Sequence, residues 1–314
     1  MPSTIKVAFV GTGYMGAEHA RAFASLPDVE IAGFYSRTRE QAEKLAATYN
    51  ARVCDSVSDL YRTTGADLVV VSVVELSMAQ VASECFTYPW TVLLEKPAGY
   101  DLADATRIRD AAVRARSSVF VALNRRAYSS TRQALQLLEG HSSQRFIKVV
   151  DQEDQVALQA SHPPLVLQNL MFANSIHIID YFRVFGRGEV AEVEPIVRWT
   201  PEKPGLVLAR INFTSGDIGL YEGIWDGPAP WIVSVSTAEQ RIEMRPLEQG
   251  TVQLRGTRVV TQLDIDPDDT AYKAGLRYQA QQALAAVRKD AASLATIDDS
   301  WRSMKLVADI FGLT

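Results

Sequence analysis

Two side chains in this sequence have the type and the setting that proton chemistry requires: Lys96, in Thr91-Val-Leu-Leu-Glu-Lys-Pro-Ala-Gly99, and His177, in an almost wholly apolar stretch. The run ending at Leu94 has the composition of a buried parallel strand, and a carboxylate, an ammonium group and a proline follow it at once. In open α/β sheets the ligand crevice lies beyond the carboxyl ends of the strands, so Lys96 is expected to face a bound cofactor. Pro97 stops the strand and restricts Lys96 to an extended or turn conformation. An amine beside a positively charged ring gives up its proton more readily, which suits proton transfer near neutrality. His177 lies in Leu170–Phe185, which reads as a buried helix, with Asn174, His177 and Tyr181 spaced to share one face. A buried polar face needs partners, and a lone histidine there is commonly just hydrogen-bonded to its neighbours. Its conjunction with a strand-end lysine in a dinucleotide binder moves His177 to the active site, with Asp180 as an anchor of the helix.

The dinucleotide is expected from the first residues of the chain. Ile5–Val10 reads as a doubly covered strand and runs into Gly11-Thr12-Gly13-Tyr14-Met15-Gly16, after which a helical pattern reaches about Leu26. Gly11 permits the tight turn, Gly13 lets a pyrophosphate approach the backbone, and Gly16 lets the helix pack on the strand. The phosphates would sit at the helix N-terminus, with Thr12, Tyr14 and Met15 around them. The next strand, Val29–Tyr35, ends in Ser36-Arg37-Thr38 and lacks the carboxylate that binds a ribose 2′-hydroxyl. A small hydroxyl followed by a guanidinium suits a 2′-phosphate, which favours NADP(H) over NAD(H). The competing reading is a solvated arginine at the start of the helix Arg39–Tyr49.

The elements that position these groups alternate regularly at first. Strands are expected at Leu68–Val74, Thr91–Leu94 and Ser118–Leu123, with a short helix over Met78–Phe86 and a long one capped by Asp101 and reaching about Arg116. The alternation stops near residue 125, which divides the chain into residues 1–125 and 126–314. Beyond it, Phe146–Val150, Val190–Trp199, Leu206–Phe213, Ile218–Trp225, Trp231–Thr237 and Arg241–Arg245 read as strands joined by short turns. Two amphipathic helices, Tyr272–Lys289 and Asp299–Phe311, close the chain, and they could pack back on the first domain. The fold class is α/β: a doubly wound parallel Rossmann sheet, then an α+β domain with a large open mixed or antiparallel sheet.

Composition excludes several classes. A length of 314 residues suggests two domains, and 47% hydrophobic content is ordinary for a soluble protein. Net charge is −5 with the 32 basic residues scattered, which gives no reason to expect nucleic-acid binding. Cys54 and Cys85 have no metal-type spacing, so no metal is expected, and they fit a reducing compartment. With no signal-like start and no apolar run near the roughly 18 residues of a membrane span, a cytoplasmic protein is expected.

With GTGYMG, LLEKP, the Asn124-Arg125-Arg126 strand end and SIHIID together, the chain resembles the glucose-fructose oxidoreductase, inositol dehydrogenase and MocA family over essentially its whole length. The resemblance implies hydride transfer between NAD(H) or NADP(H) and a secondary alcohol or ketone of a sugar-like substrate. It implies cofactor contacts from the glycine turn, Ser36 to Thr38, Ser72, Glu95, Lys96 and Asn124. Substrate contacts would come from Lys96, Arg126, Asn174 and His177, with Lys96 and His177 assisting proton transfer. The sheet of the second domain would join the chain into a homodimer or homotetramer. Family dehydrogenases commonly carry an Asp where this chain has Ala173, and Val73–Met78 lacks their Pro-Asn and His. Both departures resemble a branch acting on nucleotide-linked sugars, and the first raises an alternative, an NADP(H)-responsive regulator with little turnover.

Overall fold

Strands without polar alternation must be covered on both faces, and the first unit of the chain is built from them. In the computed structural model, which describes residues 4–158, 162–203, 205–225 and 227–313, these are β1 (Ile5–Val10), β2 (Val29–Tyr35), β3 (Arg52–Cys54), β4 (Leu68–Val71), β5 (Thr91–Leu94) and β6 (Val119–Val121). They pair in parallel in the order β6-β5-β4-β1-β2-β3, with the short strand Ala295–Thr296 added antiparallel beyond β6. This is the doubly wound Rossmann order, and its direction reverses between β1 and β4, where such sheets hold ligands. Helices α1 (Tyr14–Ala24), α2 (Arg39–Tyr49), α3 (Val57–Thr64), α4 (Glu75–Cys85) and α5 (Leu102–Ala115) supply the crossovers. In the core, Phe9 stacks on Phe34 at 5.1 Å and meets Phe23 edge-on at 6.1 Å. Each such buried ring contributes on the order of 1.5–3 kcal/mol.

By packing, this unit comprises Met1–Asn124 together with Asp268–Trp301, and the second comprises Arg125–Pro267 with Arg302–Thr314. Asp101 caps α5 by accepting the Asp104 amide at 2.7 Å. The helix expected from Tyr272 begins only at Leu276, because Gly275 sits at φ +78°, a left-handed conformation that breaks a helical register. Leu276, Ala280, Ala283 and Leu284 of that helix join the first unit's core.

The second unit carries an eight-stranded sheet among the described residues. Its strands are β7 (Phe146–Gln152), β8 (Val190–Val197), β9 (Leu206–Phe213), β10 (Ile218–Ile224), β11 (Ile232–Ser236), β12 (Gln240–Met244), β13 (Gly250–Leu254) and β14 (Val260–Gln262). The order is β14-β13-β12-β11-β7-β10-β9-β8, and only the β7–β10 pair is parallel, so the sheet is mixed. Buried and open positions alternate along β9 and β10, as in a sheet with one face on the core. The buried face packs on the segment Leu170–Phe185, where Phe182 and Phe185 are fully buried. That segment is not one regular helix: Met171–Ser175 forms a π turn, followed by Ile176–Ile179 and Tyr181–Phe185. No helix among the described residues is long and apolar enough to cross a membrane.

Candidate functional site

At the carboxyl end of β1 the glycine turn defines an open cradle. Gly11 has φ +96°, and a Cβ there would lie 2.2 Å from the Ser72 carbonyl oxygen. At Gly16 a Cβ would meet the Gly11 carbonyl oxygen at 2.4 Å, so this glycine serves the turn itself. Gly13 differs: its backbone conformation is ordinary, at φ −70°, and a Cβ would meet nothing within 4 Å. Packing within the chain therefore gives no reason for glycine at this position, whereas a ligand lying against the backbone would. Two further features fit a phosphate group. No side chain caps α1, leaving its first amides directed at the cradle, and no acidic residue stands in its first turn. Thr12 Oγ1 is shut from solvent and makes no hydrogen bond among the described residues. Ser72 Oγ donates to the Gly11 carbonyl at 3.1 Å and so braces the turn.

The cradle opens into a cavity of about 380 Å³ whose walls include Gly11, Gly13, Ser36, Arg37, Thr38 and Ser72. Ser36 Oγ accepts the Thr38 amide at 3.3 Å, which shapes the end of β2. Arg37 is exposed and in no ion pair among the described residues, while Arg39 is held by Glu43 and Asp55. Of two arginines close in sequence, the one at the cavity is the one left available to an anion. Tyr14 is 69% exposed, under the Lys273 ammonium at 5.4 Å, and Met15 packs partly against the core. The residues present thus fit a dinucleotide, with the pyrophosphate on the cradle and the adenosine end near Ser36 and Arg37.

Lys96 follows β5, joined to Pro97 by a cis peptide bond and only half-buried. Glu95 is buried, and both of its oxygens are engaged: Oε1 with His19 Nε2 at 2.8 Å and Oε2 with the Lys96 amide at 3.0 Å. The carboxylate thereby ties α1 to the strand end and fixes the backbone of the lysine. Nothing in the spacing of His19 announces this bond, which needs the fold. Asn124, at the end of β6, is buried and donates Nδ2 to the Ala274 carbonyl at 3.1 Å.

In the second unit the polar groups of Leu170–Phe185 point to separate partners. Asn174 donates Nδ2 to both oxygens of Glu153, at 2.8 and 2.9 Å, and Ser175 donates to Glu153 Oε1 at 3.4 Å. Glu153 is buried just beyond β7, so a carboxylate does stand beside the helix, although residue 173 is alanine. Sequence spacing along the helix could not find it. Asp151, two residues earlier, accepts the Tyr221 hydroxyl at 2.7 Å, and burial raises its carboxyl above the usual range. His177 is buried with its ring 6.4 Å from that of Trp231. Tyr181 engages Thr131 at 3.0 Å and the Arg125 carbonyl at 3.3 Å.

Arg126, expected as a substrate contact, gives its fork to Asp180 at 2.6 and 2.7 Å. Ser303 also donates to Asp180, at 2.5 Å, so this aspartate anchors the helix. Both cysteines are buried, and burial pushes the Cys85 thiol up to about 12 and raises that of Cys54.

Residues 5–123 match the family profile described as an oxidoreductase family with an NAD-binding Rossmann fold. No sequence among curated proteins matches the chain. Solved structures similar to it include a UDP-N-acetylglucosamine 3-dehydrogenase from Acidithiobacillus ferrooxidans (TM-score 0.80, 15% identity, 98% of this chain and 97% of that one). Another is an oxidoreductase from Agrobacterium radiobacter in complex with NAD+, L-tartaric acid and magnesium (TM-score 0.79, 14% identity, 99% and 96%). A third is the biliverdin reductase of Synechocystis sp. PCC 6803 in complex with biliverdin and NADP+ (TM-score 0.71, 18% identity, 99% of both chains). At these identities the likeness is one of fold.

Proposed function

We propose, from the match of residues 5–123 to an oxidoreductase family with an NAD-binding Rossmann fold, that the chain is an NAD(P)-dependent oxidoreductase of the glucose-fructose oxidoreductase, inositol dehydrogenase and MocA type, and that it reduces or oxidises a sugar-like substrate, with NADP(H) preferred. The observation that carries the reading is the cradle at Gly13, open where only a ligand would need it, beside a cavity that ends at Ser36 and Arg37. The nicotinamide, when bound, exchanges a hydride with a secondary alcohol or ketone carbon. The chain's own residues bind the dinucleotide, orient the substrate and move the proton. Lys96 holds the substrate oxygen and exchanges its proton, and His177 shares that task. Asn174, held between the two oxygens of Glu153, presents its remaining amide oxygen as an acceptor for a substrate hydroxyl. The buried Glu153 supplies beside the helix the carboxylate that Ala173 lacks, which favours the enzyme over a regulator. The open face of the eight-stranded sheet joins two copies.

Titration of tryptophan fluorescence with NADPH and NADH tests the cofactor reading. Arg37→Asp is expected to weaken NADPH by about tenfold or more and leave NADH nearly unchanged, since a lost charge-assisted bond costs roughly 1.5–3 kcal/mol. Gly13→Ala is expected to weaken both nucleotides alike while the thermal midpoint rises slightly. A wild type that binds NADH as tightly as NADPH would contradict the preference.

A further inference from the structure

The adjacent arginines 125 and 126 are used in opposite ways. Arg126 is committed to Asp180, whereas Arg125 lies over the Trp231 ring at 4.7 Å and is in no ion pair among the described residues. Its backbone is fixed from behind, the carbonyl accepting Thr131 Oγ1 at 2.8 Å and the Tyr181 hydroxyl at 3.3 Å. Its Nε is shut from solvent and makes no hydrogen bond among the described residues. A guanidinium donor removed from water and left unsatisfied is costly unless something else accepts from it.

The wall opposite is built to match. Trp231 is held by its Nε1 donating to the Gln152 carbonyl at 3.0 Å, which fixes the ring. A cavity of about 440 Å³ is lined by Arg125, Trp231 and Arg245, and Arg245 also lines an adjoining one of about 990 Å³. Arg245 stands at a tight turn closed by the Gln249 amide donating to the Pro246 carbonyl at 2.9 Å, and it too is in no ion pair among the described residues. Among the described residues, two carboxylates border the cavities. Asp154 is turned to the Ala157 amide at 2.9 Å, Glu248 is exposed, and neither comes within ion-pair distance of these arginines. Among the described residues lining the cavity with Trp231, Arg125 and Arg245 are the cationic ones, and the Trp231 ring lies 6.4 Å from that of His177.

Resting on the function proposed above, we infer that Arg125, Arg245 and Trp231 form a subsite for an anionic group, phosphate or carboxylate, carried by the substrate. The arginines supply forked donors suited to either oxyanion, and the tryptophan supplies a flat apolar wall for the adjoining part of the molecule. The substrate is therefore an acidic or phosphorylated sugar derivative rather than a neutral sugar, its charged end held in this subsite while His177 serves the reacting one.

The test uses the whole chain with saturating NADPH, so that the glycine cradle is filled. Inorganic pyrophosphate and malonate are titrated while tryptophan fluorescence is followed, and Trp231→Phe identifies the responding ring. Saturable quenching by at least one anion is expected, lost in Trp231→Phe and weakened about tenfold in Arg245→Gln and in Arg125→Gln. Arg210→Gln, an exposed change on β9, should leave the titration as in the wild type. Preference for pyrophosphate identifies a phosphorylated substrate, and preference for malonate a carboxylated one. Absence of saturable quenching by either anion overturns the subsite, as does equal affinity in the wild type and Arg245→Gln, whose exposed position spares the fold. Because no turnover is read, anion binding with no hydride transfer to any keto-sugar would sink the proposed function and leave the subsite standing.

Discussion

Lys96→Met is expected to lower the rate of hydride transfer by about 10²–10⁴-fold, the usual range for a lost general acid or base. Methionine keeps the length and much of the apolar stem of lysine, so packing beside Pro97 changes little and the missing function is the ammonium group. The backbone amide of residue 96 still donates to Glu95 Oε2, which preserves the strand end and the tie to α1. NADPH affinity should accordingly stay within a fewfold of wild type while kcat falls. The measurement is single-turnover NADPH oxidation with the best keto-sugar from a panel that includes acidic and phosphorylated members, over a range of pH. Unaltered turnover, or a loss matched by equal loss of NADPH binding, would remove Lys96 from the proton path.

The second large effect concerns stability. Asp217 is buried and receives the Arg187 fork at 2.6 and 2.9 Å and the amides of Arg145 and Arg187 at 2.8 and 3.0 Å. Burial by itself would raise its carboxyl, but the Arg187 fork and the two amides outweigh that and hold it at about 2, below its ordinary 3.8. The folded value is depressed, so the contribution is present above about pH 4 and is lost as pH falls toward 2. The difference corresponds to about 2 kcal/mol. Asp217→Ala goes further, since Arg187 and both amides lose their acceptor together, and about 3–5 kcal/mol is expected near neutral pH. Urea unfolding at pH 7 and pH 3 separates the two statements. Asp217→Asn should be destabilised at pH 7 and should lose part of the wild type's acid sensitivity, and a variant as acid-sensitive as wild type would contradict the assignment.

Much of the first unit was legible because its signals are local. The unbroken β-branched strands, the glycine turn and Asp101 before an amphipathic stretch each carry their reason within a few residues. The short β3 and α3 lacked such a signal, and Gly275 in a left-handed conformation shortened the first closing helix. In the candidate site the limit was of another kind. Helical spacing put Asn174, His177 and Tyr181 on one face, yet the π turn at Met171–Ser175 and the surrounding strands give them different partners. His19 with Glu95 and Asn174 with Glu153 join residues far apart in sequence. Which of Arg125 and Arg126 would be committed to a carboxylate depended on the direction of one 3-10 turn, Asn124–Ala127.

Gly13 has a consequence for anyone improving this protein. Its φ of −70° is open to any residue, and the space beside it is empty. Alanine there would restrict the unfolded chain and raise stability by about 0.4–1 kcal/mol. If Gly13 holds the cofactor as proposed, a thermostability screen that scored melting alone would enrich the substitution and select against cofactor binding, because at this position resistance to heat and the capacity to hold a nucleotide would pull in opposite directions.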